Sequence, residues 1–221
     1  MVYIIIVIYI IIIIFVIYNM AASSQSSQYS FEYYVDDKIL LTSTSIITMV
    51  SDICNQIEKI KQLLTLLESA VNNSRDNKFK SIYKEIIDEI NDPVMVKLNK
   101  LLENKELCVI QETLNRIEND VMPIMSDFEK DCYNEFKKKL IIIPTNPTDR
   151  FKELKNNDSK RWRDLNINEF GTADRLGIPI LTGNQSATRN ILLQKEWDVT
   201  IIPHRSRDVV GNKLIRNGFN Y

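Results

Sequence analysis

Residues 178–203 read IPILTGNQSATRNILLQKEWDVTIIP. Two short apolar runs, 178–182 and 197–203, enclose a stretch with helical spacing between Asn184 and Glu196. Each run is too short for a core helix and is rich in Ile, as buried strands are. A strand, a helix and a second strand in succession form a parallel unit, because parallel neighbours need a crossover to connect them. This stretch therefore predicts an α/β protein.

Working outward, LIIIP at 140–144 and ELCVIQ at 106–111 read as further strands. FEYYV at 31–35 is aromatic and β-branched enough for another, stopped by Asp36 and Asp37. From Ile39 to about Leu140 the spacing turns helical, with Ile53, Ile57, Ile60, Leu64 and Leu67 recurring at intervals of three and four. NNSRDN at 72–77 breaks that helix, and a second begins at FKSIYKEIIDEI and ends near Asn91-Asp92-Pro93. Further helices are expected around 94–104 and 112–139. The sum is a central, mostly parallel sheet with an enlarged helical region at about 46–139, inside one domain spanning 31–221.

The chain has 221 residues, a formal charge of −1 and 44% hydrophobic residues. That length supports one good-sized core, and the charge gives no overall attraction to nucleic acid or anionic membrane. Val2–Tyr18 is an uninterrupted apolar run, and the first Asp, Glu, Lys or Arg is Glu32. Small residues Ala21 and Ala22 follow it, so residues 1–22 read as a signal peptide and 23–30, SSQSSQYS, as a polar linker. The expected localisation is secreted, with no stable membrane insertion after cleavage. An uncleaved N-terminal anchor is the alternative. Cys54, Cys108 and Cys132 are an odd number spaced too widely for a zinc site, and read as core residues with one disulfide open to them. The last third is locally basic, from Arg150 to Tyr221, and contains Arg161-Trp162-Arg163. Such a cluster is by itself first a solvated basic surface beside a core tryptophan, and it also suits phosphate contact and base stacking. His204, the single histidine, reads as a loop residue.

Three blocks then share a likeness. YYVDDKILLTSTS resembles the opening of PIN-domain nucleases, in which a strand ends in an Asp. LCVIQETLNRIE is similar to that family's second strand and Glu-bearing helix, and FGTADRLGIPILTGN to the FGTGD variant of PIN-like toxins. The resemblance implies a PIN-like three-layer α/β fold. It also implies a site in which Asp36, Glu118 and Asp174 are the catalytic acids and hold Mg²⁺ or Mn²⁺, with Asn115 or Arg116 as alternative occupants of the Glu position. Arg161, Arg163, Arg189 and Asn184 would contact substrate. The pattern departs from the family at Asn184 and Asn166, where acids are usual.

The expected function is that of a secreted toxin or virulence effector whose metal-dependent ribonuclease core attacks an RNA phosphodiester with activated water. A non-catalytic effector, binding a target-cell protein or receptor through the helical segment, and an N-terminally anchored structural protein are the alternatives. Composition and export also resemble the small secreted killing factors of insect viruses.

Overall fold

The computed structural model describes residues 37–56, 68, 77–157, 163–193 and 197–209. The expected signal peptide, linker and FEYYV strand, with Asp36, lie outside these. Asp36–Tyr221 form one compact unit.

The chain order is β1 (Lys38–Leu41), α1 (Ser43–Val50), α2 (Asp52–Asn55), α3 (Asn77–Asn91), α4 (Val94–Leu102), β2 (Glu106–Ile110) and α5 (Gln111–Arg116). A π turn (Ile117–Val121) and a 3₁₀ turn (Met122–Ile124) lead to α6 (Asp127–Lys137) and β3 (Ile141–Ile143). Then come α7 (Asp149–Asn157), α8 (Asp164–Leu176), β4 (Ile180–Thr182), α9 (Gln185–Leu192) and β5 (Ile201–Pro203).

The five strands form one sheet in the order β3-β2-β1-β4-β5, and every pairing is parallel. Leu40 sits opposite both Cys108 and Ile180. Because strand side chains alternate, Leu40, Cys108, Ile110 and Ile180 share one face. There they pack against Phe151 of α7, Phe170 and Ala173 of α8, and Ile191 of α9. Ile39, Leu41, Val109 and Leu181 are just as buried on the opposite face. Central strands dry on both sides carry near-continuous apolar runs, as β1, β2 and β4 do, whereas Ile141 and Ile142 of the edge strand β3 are exposed. The protein is thus a three-layer α/β fold.

Two sequence expectations shift. The stretch from Ile39, expected to be helical, begins with β1, and its helix starts only after Thr42. The acidic pair therefore precedes this strand: Asp37 adjoins its N-terminal end, and its carbonyl accepts from the Glu106 amide at 2.6 Å. The single helix expected at 112–139 is interrupted. Pro123 lies in the 3₁₀ turn, and Ser126 restarts the helix with a capping box, its hydroxyl accepting from the Glu129 amide at 3.1 Å and its own amide donating to Glu129 Oε2 at 3.0 Å. Of the expected apolar stripe at 53–67, only Ile53 is described, and it is fully buried.

After β5 the chain runs back over α1 and α3. Arg207 donates to Glu89 of α3 at 3.0 Å with both side chains buried, and Arg205 adds a contact to the same carboxylate at 3.4 Å. All three cysteines are unbridged, and Cys108 lies inside the sheet. Among the described residues no helix is long and apolar enough to cross a membrane.

Candidate functional site

The strand order places a topological switch between β1 and β4. From β1 the chain builds outward through β2 and β3, then returns to the other side of β1 with β4 and β5. Connections leave the two central strands in opposite directions, so a crevice opens beyond their C-terminal ends, and in open parallel sheets ligands bind there.

A cavity of about 660 Å³ occupies this place. Its walls come from the segment after β1 (Ser43, Thr44), the segment after β4 (Gly183 to Ala187) and Asn190 of α9. Arg116, at the end of α5, and Arg163 and Asn166, at the start of α8, complete them. Among the described residues the lining thus holds two arginines, several hydroxyl and amide groups, and no carboxylate. Arg116 Nε is buried with no hydrogen-bond partner.

The residues between β1 and β4 are locked by short polar contacts. Thr42 Oγ1 donates to the Leu181 carbonyl at 3.1 Å, and the Gly183 amide donates to Thr44 Oγ1 at 3.0 Å. Asn184 caps α9 by accepting from the Ala187 amide at 3.1 Å, while its Nδ2 donates to Asn166 Oδ1 at 3.2 Å. Gly183 is required by close approach, since a Cβ there would lie 2.7 Å from Ser206 Cβ.

Behind the wall sits Glu169 of α8, 2% exposed. Its Oε1 accepts from the Ser43 amide at 2.9 Å and from Thr113 Oγ1 at 2.7 Å. Burial pushes this carboxyl up to about 7, against the pull of the Thr113 and Ser43 hydrogen bonds and the charge of Arg116. Glu169 is therefore a group that changes charge near neutral pH directly beneath the crevice.

His204 follows β5 with its ring partly buried, and burial lowers its basicity below that of an ordinary imidazole. Nδ1 faces the Arg205 carbonyl at 2.9 Å, which only accepts, so the proton sits there and Nε2 accepts from Ser45 Oγ at 2.8 Å. Ser45 is fully buried and also lies 2.8 Å from the Leu181 carbonyl. This Ser-His contact fastens the segment after β5 to α1 and is closed to any substrate.

Of the acids expected from the sequence, the two that are described stand elsewhere. Asp174 is paired with Arg150 of α7, whose Nε donates at 2.9 Å, and with the Thr148 hydroxyl. Its side chain is only 5% exposed. Burial would raise its pKa, yet Arg150 and Thr148 hold it below the ordinary carboxylate range. Glu118 lies in the π turn, bonded to Lys137 and to the Tyr133 hydroxyl at 3.1 Å, and the Lys137 bond keeps its carboxyl low. Asp36 falls outside the described residues.

Asp174 and Glu118 share no partner and neither lines the crevice. Among the described residues no group of three or more His, Cys, Asp or Glu is placed to hold a metal ion. Asp174 and Glu118, the two of the three expected ligands that are described, are each paired with a cation of the protein and do not by themselves form the Mg²⁺ or Mn²⁺ site that the resemblance implies. The rest of the FGTAD motif is structural too. Phe170 is in the core, the Thr172 hydroxyl accepts from the Asn146 amide at 3.0 Å, and Gly171 lets Pro147 and Phe151 close onto α8.

The expected substrate contacts divide. Arg163 and Asn184 line the crevice, Arg189 is exposed on α9 and bonds Gln185 at 3.4 Å, and Arg161 is outside the described residues. Sequence reading passed over Ser43, Thr113 and Glu169. Glu169 carried a usable signal, because a carboxylate beside Ile167, Phe170 and Ala173 on one short helix must face the core.

Fold and crevice define an α/β protein with a wholly parallel five-stranded sheet, among the described residues, and a cation-lined pocket at its switch point. The chain belongs to the family described as "Protein of unknown function (DUF1308)", whose model matches residues 39–216. The match begins at β1 and takes in every strand and the whole crevice. No solved structure matches the chain.

Proposed function

We propose that this chain is an exported effector built on a PIN-like α/β domain, and that its switch-point crevice binds RNA through phosphate without cutting it. The observation that carries this reading is the lining of the crevice: Arg116 and Arg163 with hydroxyl and amide groups and, among the described residues, no carboxylate. Such a lining attracts a polyanion and offers hydrogen bonds to its oxygens. Among the described residues it has no acid that would assemble a divalent cation.

Two further facts support it. Where acids are usual in the PIN resemblance, the crevice wall carries Asn166 and Asn184, bonded to each other. An amide pair orients a ligand but contributes no charge. The apolar run Val2–Tyr18 supports the exported part of the reading.

Filter binding of single-stranded RNA tests it, with cleavage followed in Mg²⁺ and Mn²⁺. The expected result is salt-dependent binding and intact RNA. Affinity falls in Arg116→Gln/Arg163→Gln and is unchanged in Asp36→Ala/Asp174→Ala. RNA cleavage that disappears in the latter variant overturns the proposal in favour of the nuclease. A mature chain that retains residues 1–22 replaces the exported effector with the anchored protein.

A further inference from the structure

We propose that the crevice selects a terminal phosphate, the phosphomonoester end of an RNA strand or a free nucleotide, over an internal phosphodiester; this rests on the phosphate-binding reading above.

Arg116 is the first reason. A guanidinium donates five N–H groups and accepts none, and buried donors in folded proteins are almost always paired. Arg116 lines the crevice and its Nε is buried without a partner among the described residues, so the guanidinium is not spent on an acceptor of the protein at that nitrogen. Arg116 makes no ion pair among the described residues, although Glu169 is near enough to feel its charge.

Charge is the second. Arg116 and Arg163 bring two positive charges to a lining without an acid among its described residues. A monoester carries about −1.5 to −2 at neutral pH and three terminal oxygens. An internal diester has one charge and two free oxygens, so it leaves part of this cationic, donor-rich wall unmatched.

The third reason is geometric. Thr44 and Ser186, both in the lining, are the second residues of the eight-residue helices α1 and α9. Their amides precede the first intrahelical hydrogen bonds, and two helix N-termini converge on one space. Ser43 is differently placed, because its amide is already committed to Glu169. The cavity, about 660 Å³, is of the size that encloses a nucleotide-sized ligand. One end of a single strand therefore enters while the remainder lies across the rim beside Arg163.

Competition binding decides the matter. A single-stranded RNA is prepared with a 5′-phosphate, a 3′-phosphate or hydroxyl ends only, and AMP and inorganic phosphate serve as competitors. We expect one phosphorylated end to bind about tenfold more tightly than the hydroxyl form, the effect of one added charge-assisted contact. AMP should displace that RNA. Arg116→Gln should abolish the preference, and Arg163→Gln, a change at an exposed rim position, should reduce it without disturbing the fold. Equal affinity for all three RNAs, weakened equally by Arg163→Gln, overturns the terminal-phosphate inference and leaves RNA binding standing. Binding of AMP and phosphate without RNA binding keeps the inference and removes the RNA reading. Absence of all three overturns both.

Discussion

Replacing Glu169 by Gln removes one titration and little else. Gln has the same shape, and its side-chain oxygen can still accept from the Ser43 amide and the Thr113 hydroxyl that Glu169 Oε1 now holds at 2.9 and 2.7 Å. Burial raises the Glu169 carboxyl from an ordinary 4.5 to about 7. Between those values the folded protein keeps a proton that the unfolded chain has lost. Stability from this group is therefore complete below pH 4.5, declines as pH rises and is gone above about 7. At about 1.4 kcal/mol per pH unit, the loss between pH 5 and pH 8 is about 2.5 kcal/mol.

His204 acts in the opposite sense over part of the same range. Its folded pKa is lowered by burial, so its contribution is present above 6.5 and lost as pH falls. Comparing wild type with Glu169→Gln cancels that contribution, since no hydrogen bond joins His204 to Glu169. Urea unfolding at pH 5 and pH 8 should show Glu169→Gln gaining about 2.5 kcal/mol on wild type between the two conditions. Parallel pH dependences, within about 0.5 kcal/mol, would refute the buried, near-neutral carboxyl and with it the described floor of the crevice.

Gly171→Ala tests the packing behind the FGTAD motif. Its Cβ would meet Pro147 Cβ at 2.5 Å and Phe151 Cβ at 2.9 Å, so thermal unfolding should reveal a loss of about 1–3 kcal/mol despite alanine's better helix propensity. Asp174→Asn should cost about 1–2 kcal/mol by leaving Arg150 without its carboxylate, and should alter Trp197 fluorescence because that guanidinium lies 5.1 Å from the ring centroid. The Asp174 carboxyl has a lowered folded pKa, so its contribution is present above pH 3.8 and is lost on acidification below it; the deficit of the variant should shrink there. RNA affinity in Asp174→Asn should match wild type, and a clear loss would place Asp174 in the site after all.

Four of the five strands were legible because each is a bare apolar run closed by turn residues, and a short dry strand between helices has no other pattern. β1 was harder. KILL is followed at once by TSTSIITMV, and the apolar spacing of α1 runs back through the strand, so the two read as one helix. The acidic pair precedes β1, and the FEYYV run expected to end in that pair lies outside the described residues. The site was legible in part: Arg163 and Asn184 were picked out, and Asn166 was noted as an amide where acids are usual. Glu118 and Asp174 looked equally eligible, because a sequence does not show that Lys137 and Arg150 already neutralise them.

By itself, the sequence determined the class: apolar runs of strand length, joined by amphipathic segments long enough for crossovers, can bury their surface only as a parallel sheet between helices. It also determined the inventory, with Arg116, Arg163, Asn166 and Asn184 present. What the tertiary structure alone decided is which of these meet. Arg116 and Asn184 are 68 positions apart, and Ser43 and Glu169 are 126 apart. They converge because β1 lies between β2 and β4, and residues that follow neighbouring parallel strands emerge at the same edge of the sheet. The same packing set the charge state of Glu169, since a carboxyl becomes a near-neutral titrating group only when other elements exclude water from it.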